Sequence, residues 1–138
     1  MKQVQMDQQI IGYLPDPQMQ SEQRPWGRWE VLAESAGYKI KRLEVAPGQR
    51  LSLQYHLHRC EHWVVVSGMV RVILGDETRE LGVTDSVVIP PKMIHRIENP
   101  YEDPVVLIEV QQGTILDEDD IVRLEDDYER VALKRRNQ

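Results

Sequence analysis

The stretch Gly48-Gln-Arg-Leu-Ser-Leu-Gln54-Tyr-His56-Leu-His58-Arg-Cys-Glu61-His62-Trp63-Val-Val-Val-Ser-Gly68 decides the fold prediction. Polar and apolar residues alternate through its first half, which is the period of a β-strand with two different faces. A glutamate and a run of valines then predict a second strand that ends at the turn signal Ser67-Gly68. A later block, Pro90 to Asn99, places another histidine after a turn. Together the two blocks predict a small β-barrel that carries a site for one divalent metal ion.

Strand parity places a row of polar side chains on one face of the first predicted strand. Successive side chains of a strand point to opposite faces. The polar row is Arg50, Ser52, Gln54, His56 and His58, and the apolar row is Leu51, Leu53, Tyr55 and Leu57. In a small barrel the polar row can line the interior while the apolar row packs against a second sheet or another subunit. Two imidazoles and two oxygens from Gln54, His56, Glu61 and His95 form a ligand set suited to Zn²⁺, Mn²⁺, Fe²⁺ or Co²⁺.

Length and composition predict one globular domain. The 138 residues are 41% hydrophobic and 29% charged, which leaves room for one core. No apolar run reaches the roughly 18 residues that span a bilayer, and the first residues lack the apolar segment of a secretory signal. The single cysteine, Cys60, cannot form an internal disulfide, so we expect a cytoplasmic protein. A formal net charge of −6 argues against nucleic acid and anionic membranes as partners.

Turn signals about every ten residues divide the chain into short strands. We expect an extended N-terminal arm over residues 1–23, one all-β domain over 24–130 and a C-terminal tail over 131–138. Strands are predicted near 28–33, 38–45, 51–57, 61–67, 69–74, 78–81, 86–90, 94–98 and 105–111. After Asp117 acidic residues lead into an apolar pattern, which favours one or two short helices near 118–130 because carboxylates stabilise a first helical turn.

The spacing of the polar residues resembles the two motifs of the cupin superfamily. The first motif runs Gly, five residues, His-x-His, three or four residues, Glu, six residues, Gly. The matching residues are Gly48, Gln54, His56, Glu61 and Gly68, with Gln54 in place of the first histidine. The second motif, Pro-x-Gly, two residues, His, three residues, Asn, matches Pro90, Lys92, His95 and Asn99. Lys92 stands in place of glycine, and lysine must pay a conformational cost to adopt a positive φ there. A rival register, with His56 and His58 as the His-x-His pair, fits the intervals less well.

More specifically, the chain is similar to the type II mannose-6-phosphate isomerase cupin, a domain commonly fused behind a mannose-1-phosphate guanylyltransferase. The similarity runs from about residue 24 to 130 and includes Arg24-Pro-Trp-Gly, Tyr38-Lys-Ile-Lys-Arg, Ile108-Glu-Val-Gln and Glu118-Asp-Asp-Ile-Val-Arg. The similarity does not include a nucleotidyltransferase domain, so we do not infer guanylyltransferase activity from it. The resemblance implies a cupin (double-stranded β-helix, or jelly-roll) barrel that interconverts mannose 6-phosphate and fructose 6-phosphate through an enediol, with one divalent metal ion.

The implied reaction assigns roles to further polar residues. Proton transfer between C1 and C2 needs a general base near the metal. His58 is the first candidate, and Lys41 and Glu109 are weaker ones. The phosphate of a small phosphorylated sugar needs cations, for which the candidates are Arg24, Lys39, Arg50, Arg59 and Arg123. Arg123 could instead pair locally with Asp119 or Asp127.

Other readings of the same residues stay open. The domain could be a different metal cupin enzyme, such as a dioxygenase or a sugar epimerase, or a non-catalytic module that binds sugar phosphates. Cys60 is expected to be a small apolar filler on the face opposite the ligands. Trp26, Trp29 and Trp63 are expected in the core or an interface rather than as sugar-stacking platforms. The apolar strand face and the arm predict a homodimer with exchanged edge strands or arms.

Overall fold

The computed structural model of the chain describes residues 20–116 and 118–128, which fold into two antiparallel β-sheets. The strands are β1 (Ser21–Arg24), β2 (Gly27–Ser35), β3 (Tyr38–Val45), β4 (Leu53–Tyr55), β5 (Arg59–Ser67), β6 (Val70–Leu74), β7 (Glu77–Leu81), β8 (Ser86–Ile89), β9 (His95–Glu98), β10 (Val105–Gly113) and β11 (Val122–Glu125). A single 3-10 turn, Glu118–Asp120, separates β10 from β11.

The chain passes back and forth between the two sheets. One sheet has the order β1-β2-β3-β10-β5-β8 and the other has the order β11-β4-β9-β6-β7. From β3 to β6, and again from β7 to β11, each strand lies in the opposite sheet from the strand before it. This alternation makes a double-stranded β-helix, so the predicted all-β barrel is confirmed.

The interior of the barrel changes from apolar to polar along the strands. Alternation on β3 and β10 points every second side chain inward, and the two strands pair in register. One layer places Leu43 opposite Leu107, and both side chains are buried. The next layer places Lys41 opposite Glu109, which are also buried. Since a buried polar group is stable only with partners, the polar layer is the place to look for a functional site.

The C-terminal segment differs from its prediction. Instead of the expected short helices near 118–130, the described residues there form the 3-10 turn and β11, which pairs with β4 and forms the edge of the five-stranded sheet. An isolated short helix has little stability of its own, whereas an edge strand offers unpaired backbone groups. The acidic side chains are also used: Glu125 pairs with Arg96 at 2.8 Å and Asp127 with Arg50 at 2.7 Å.

The N-terminal end also differs in part from the predicted extended arm. The last residues of the predicted arm belong to β1, which pairs with β2 at the edge of the six-stranded sheet. The rest of the arm, residues 1–19, and the tail, 131–138, lie outside the described residues. Among the residues that the structure describes, no helix has the length and apolar character needed to cross a membrane.

Gly68 forms the turn that carries the chain from β5 into β6. Its φ of +82° lies in the left-handed region, and a Cβ at this position would lie 2.5 Å from the carbonyl oxygen of Pro104. Gly37, in the turn between β2 and β3, has a similar φ of +83° but nothing within 4 Å of the same point. An alanine would thus have the same unfavourable φ at both positions, but would meet a close backbone contact only at Gly68.

We expect Gly68→Ala to lower the free energy of unfolding more than Gly37→Ala. A left-handed alanine destabilises both variants by about 1–2 kcal/mol. Only Gly68→Ala must also displace the backbone at the start of β10. Urea denaturation of the two variants and the parent measures the difference. Equal losses would contradict the close approach of Gly68 to Pro104.

Candidate metal centre

Three buried side chains bring nitrogen and oxygen donors together in the polar layer. His56 follows β4, Glu61 lies in β5 and His95 begins β9. The Nε2 atoms of His56 and His95 lie 3.1 Å and 3.9 Å from the two carboxylate oxygens of Glu61. One donor atom from each residue lies within 4.8 Å of the others. Donors this close can share one ion at bond lengths of about 2.0–2.2 Å.

Both imidazoles are oriented by backbone carbonyls. Nδ1 of His56 lies 2.6 Å from the carbonyl oxygen of Asp120, and Nδ1 of His95 lies 2.9 Å from that of Met93. A carbonyl oxygen only accepts, so each Nδ1 carries a proton and donates it. Nε2 is then the atom that each ring presents to Glu61. Histidines that bind metals are usually held in this way by their other ring nitrogen, so the arrangement fits a divalent cation.

Gln54, the fourth predicted ligand, lies in the same cavity. It pairs with His95 across β4 and β9 and lines the cavity with the other three residues. Its amide nitrogen donates to Oγ of Ser52 at 3.1 Å. The amide oxygen is the Gln54 atom suited to a divalent cation. The structure therefore brings all four predicted ligand residues to one cavity.

Trp63 connects two carboxyl groups in this cavity. Its indole N–H donates to Oε1 of Glu61 and to Oε2 of Glu109, both at 3.1 Å. Gln111 donates to the other oxygen of Glu109. The prediction of Trp63 as a core residue holds, since its side chain is buried, but its role as a polar donor was not visible in the sequence.

The surroundings favour different protonation states for Glu61 and Glu109. Burial raises the pKa of Glu109 to about 8, and the neighbouring Glu61 adds to this effect, while Lys41 and Arg59 oppose it. Burial would also raise the pKa of Glu61, but the hydrogen bond with His56 and the interactions with His95 and Arg59 outweigh it. The pKa of Glu61 is therefore held well below its usual value.

The His95 ring favours its neutral form. Burial lowers the pKa of His95, and this effect outweighs the attraction of Glu61 and the hydrogen bond to Met93. A neutral imidazole is the form that binds a metal ion. An ionised Glu61 and a neutral His95 are in the protonation states that a divalent cation requires.

Cations surround this donor set. Arg59 is buried, with Nε 3.1 Å from Oε2 of Glu61 and a terminal nitrogen 3.4 Å from Nε2 of His56. Lys41 is buried as well, and its amine lies 4.5 Å from the centre of the Trp29 ring. Arg24 and Arg123 line the same cavity.

His58 lies outside the cavity, contrary to the parity prediction. The chain bends at Leu57 and His58 between β4 and β5, which breaks the alternation, so Arg59 points inward in its place. The side chain of His58 is 48% exposed, and its Nδ1 lies 3.4 Å from Oδ1 of Asp120. The prediction that His58 shares a face with the ligands is therefore wrong.

Two of the predicted phosphate-binding cations also lie outside the cavity lining. Arg50, which parity placed with the ligands, forms a two-pronged pair with Asp127 at 2.7 and 2.9 Å. Lys39 donates to the carbonyl of Leu116 at 3.3 Å and lies 3.5 Å from Glu34. Asp127 thus binds Arg50, and the local pairing of Arg123 with Asp119 or Asp127 stays a prediction.

Asp120 is the site residue that sequence reasoning missed. Asp120 is buried, and its carboxylate accepts the N–H groups of Leu57 at 3.0 Å and His58 at 2.9 Å. Burial would raise the pKa of Asp120, but these backbone hydrogen bonds outweigh it and the pKa is lowered. No local sequence signal identifies this role, because it depends on how β11 docks against β4.

Lys92 adopts the conformation that the motif requires. Its φ is +71°, in the left-handed region that glycine occupies in the motif. Its backbone N–H donates to the carbonyl of His56 at 2.6 Å. The turn before His95 is thus kept despite the substitution, and it ties the two candidate-ligand histidines to each other through the backbone.

Removing a ligand is expected to abolish binding of Zn²⁺ or Co²⁺, because the remaining donors leave the ion incompletely coordinated. His56→Ala and Glu61→Gln are the test variants. His62→Ala is the matched control, since His62 lies on the opposite face of β5 and outside the cavity lining. Calorimetric titration with each ion measures the affinity. Retention of full affinity by both test variants would contradict the site.

Comparisons with known proteins identify relatives of this chain. The mannose-6-phosphate isomerase C-terminal family profile matches residues 16–126. Mannose-1-phosphate guanylyltransferase ManC of Salmonella typhimurium is 48% identical over 108 residues, which are 78% of this chain and 22% of ManC. Alginate biosynthesis protein AlgA of Pseudomonas aeruginosa is 48% identical over 109 residues, which are 79% of this chain and 23% of AlgA. The chain thus spans less than a quarter of the length of these relatives.

Solved structures agree on the fold. A cupin-2 domain protein from Rhodospirillum rubrum has a TM-score of 0.64 at 17% identity, covering 79% of this chain and 82% of its own. Oxalate decarboxylase from Bacillus subtilis has a TM-score of 0.70 at 17% identity, covering 82% of this chain and 33% of its own. With a family profile that covers most of its length, the chain belongs to the mannose-6-phosphate isomerase C-terminal family and has the cupin fold.

Proposed function

We propose that this domain is a metal-dependent aldose–ketose isomerase that interconverts mannose 6-phosphate and fructose 6-phosphate. Two facts support the proposal: the family to which the chain belongs, and a cavity that combines a His-Glu-His cluster with several cations. The curated relatives carry guanylyltransferase and polysaccharide-biosynthesis names. Because the chain matches less than a quarter of each, those activities are not proposed for it.

The charge of the cavity is the observation that carries the proposal. Glu61 is ionised, while the raised pKa of Glu109 favours its neutral form. Lys41 and Arg59 each add a positive charge within the same lining, and Arg24 and Arg123 add two more. A divalent cation would raise the local positive charge further. Such a cavity favours an anionic ligand, and a sugar phosphate supplies both the anionic group and oxygens for the cation.

We assign the cation to Gln54, His56, Glu61 and His95, which line one cavity. Zn²⁺, Mn²⁺, Co²⁺ and Fe²⁺ all accept two imidazoles with oxygen ligands. When bound, the ion would supply Lewis-acid stabilisation for negative charge that develops on a substrate oxygen.

The protein side chains supply the remaining functions. Glu109 is the carboxyl group beside Glu61 in the described cavity lining, held by Trp63 and Gln111, so it is the residue that we assign to hold and move the proton. Lys41 lies opposite Glu109 on the neighbouring strand and is the other candidate. Arg24 and Arg123 are the cations that we assign to the phosphate, since guanidinium groups bind phosphate through paired donors.

The expected partner is a small phosphorylated sugar, and the homodimer and the cytoplasmic location remain predictions from the sequence. A non-catalytic sugar-phosphate module is the competing reading. It would keep the cations of the cavity but not turn over the sugar. The experiments below separate the two.

Chelation is expected to abolish isomerisation, and added metal is expected to restore it. The full chain is incubated with mannose 6-phosphate, and fructose 6-phosphate is detected with coupling enzymes, before and after treatment with EDTA and after readdition of Zn²⁺, Mn²⁺, Co²⁺ or Fe²⁺. Turnover that survives complete removal of metal would contradict the metal-dependent mechanism. Calorimetric binding of mannose 6-phosphate without any turnover would favour the non-catalytic module.

Glu109→Gln is expected to lower kcat about 100-fold or more, because an amide cannot carry the proton. KM should change little, since the amide keeps a similar shape and can still accept from Trp63. Glu44→Gln is the matched control: it lies on the same pair of strands but points away from the cavity. Steady-state kinetics measures both. An unchanged kcat in Glu109→Gln would move the proton-transfer role to Lys41.

A further inference from the structure

The strap, which we define as residues 118–128, completes the metal centre from the far end of the chain. It pairs with β4 through β11, and its residues Ile121 and Arg123 line the cavity. From this segment we propose that Asp120 is a positioning residue for the cation: it fixes His56 and the bend that follows it. The proposal rests on the cation site of the proposed function.

Hydrogen bonds tie Asp120 to three consecutive residues of the ligand segment. Its carbonyl oxygen lies 2.6 Å from Nδ1 of His56. Its two carboxylate oxygens accept the backbone N–H groups of Leu57 and His58 at 3.0 and 2.9 Å. Asp120 is only 6% exposed, so water does not readily replace these contacts. One residue thus controls both the ring of His56 and the backbone beyond it.

The carboxylate replaces the strand pairing that the bend lacks. Leu57 and His58 lie between β4 and β5 and belong to neither strand. Carbonyls in this segment are held by the loops that cross it: Lys92 donates to His56 and Thr114 donates to His58. Asp120 supplies the complementary acceptors for the N–H groups of Leu57 and His58.

This arrangement acts on the cation through His56. With Nδ1 held by the carbonyl, the ring presents Nε2 toward Glu61, 3.1 Å away. Without the carboxylate anchors, the carbonyl of residue 120 loses its fixed position and the ring is free to rotate or to change its protonated nitrogen. Partners that orient a metal-ligand histidine typically contribute 10- to 100-fold to metal affinity.

The rest of the strap is held independently of Asp120. Glu125 pairs with the buried Arg96 at 2.8 Å, and Tyr128 donates to the side-chain oxygen of Gln49 at 2.8 Å. Removal of the Asp120 carboxylate therefore leaves a strap that can still dock. The effect of such a variant can be read at the cation site rather than as loss of the whole segment.

The test compares Asp120→Ala and the closer mimic Asp120→Asn with Asp85→Ala. Asp85 is the matched control because its carboxylate also accepts a backbone N–H, that of Gly82 at 2.9 Å, but in an exposed turn outside the cavity lining. We expect Asp120→Ala to weaken Zn²⁺ or Co²⁺ binding 10- to 100-fold. Asp120→Asn should lie between Asp120→Ala and the parent, and Asp85→Ala should match the parent. Calorimetry measures the affinity and circular dichroism the melting temperature.

A second readout needs no metal. In the cation-free parent protein, Nδ1–H of His56 should give a hydrogen-bonded, slowly exchanging proton signal in ¹H–¹⁵N NMR, and this signal should be lost or broadened in Asp120→Ala. A lower melting temperature with unchanged cation affinity and an unchanged His56 signal would overturn the proposal. If the parent binds no cation, the proposed function fails, and the His56 signal alone decides the role of Asp120. Should Asp120→Ala not fold, the same measurements on Asp120→Asn decide it.

Discussion

Burial of the Glu61 carboxylate is the constraint on which the rest of the site depends. A lone carboxylate at 2% exposure would be strongly destabilising. It is held by Arg59 and Trp63 on its own strand and by His56 and His95 from the opposite side of the barrel. The ends of strands from both sheets must therefore converge on one atom group. The neighbouring polar side chains on these strands therefore also lie close to Glu61, and together they form the polar layer of the interior.

Alternation along regular strands was enough to predict the centre of this arrangement. Glu61 and His95 lie in or at the start of strands, and His56 directly follows one, so their inward direction could be read from spacing. The same rule failed two residues later, because the chain bends and Arg59 replaces His58 at the inner face. Alternation predicts the direction of a side chain only while the strand stays paired, and nothing in the local sequence marks where β4 ends.

The C-terminal segment shows the other limit of sequence reasoning. Its acidic residues favoured a helix when they were considered alone, but β4 offered an edge, and Arg96 and Arg50 offered partners for Glu125 and Asp127. Tertiary pairing overrode local propensity, and the burial of Asp120 followed from it. By contrast, the two departures from the cupin motifs were tolerated. Lys92 accepts a left-handed backbone, and Gln54 faces His95 across the neighbouring strand, so the geometry of the motif survives a change of residue type.

The indole of Trp63 has a practical consequence. It donates one proton to two carboxyl groups, and Trp26 and Trp29 line the same cavity. These are the three tryptophans of the chain, so its tryptophan fluorescence originates from the walls of this cavity. A change in charge, hydration or occupancy there alters the surroundings of the indole rings, and the protein carries its own optical probe, with no label attached.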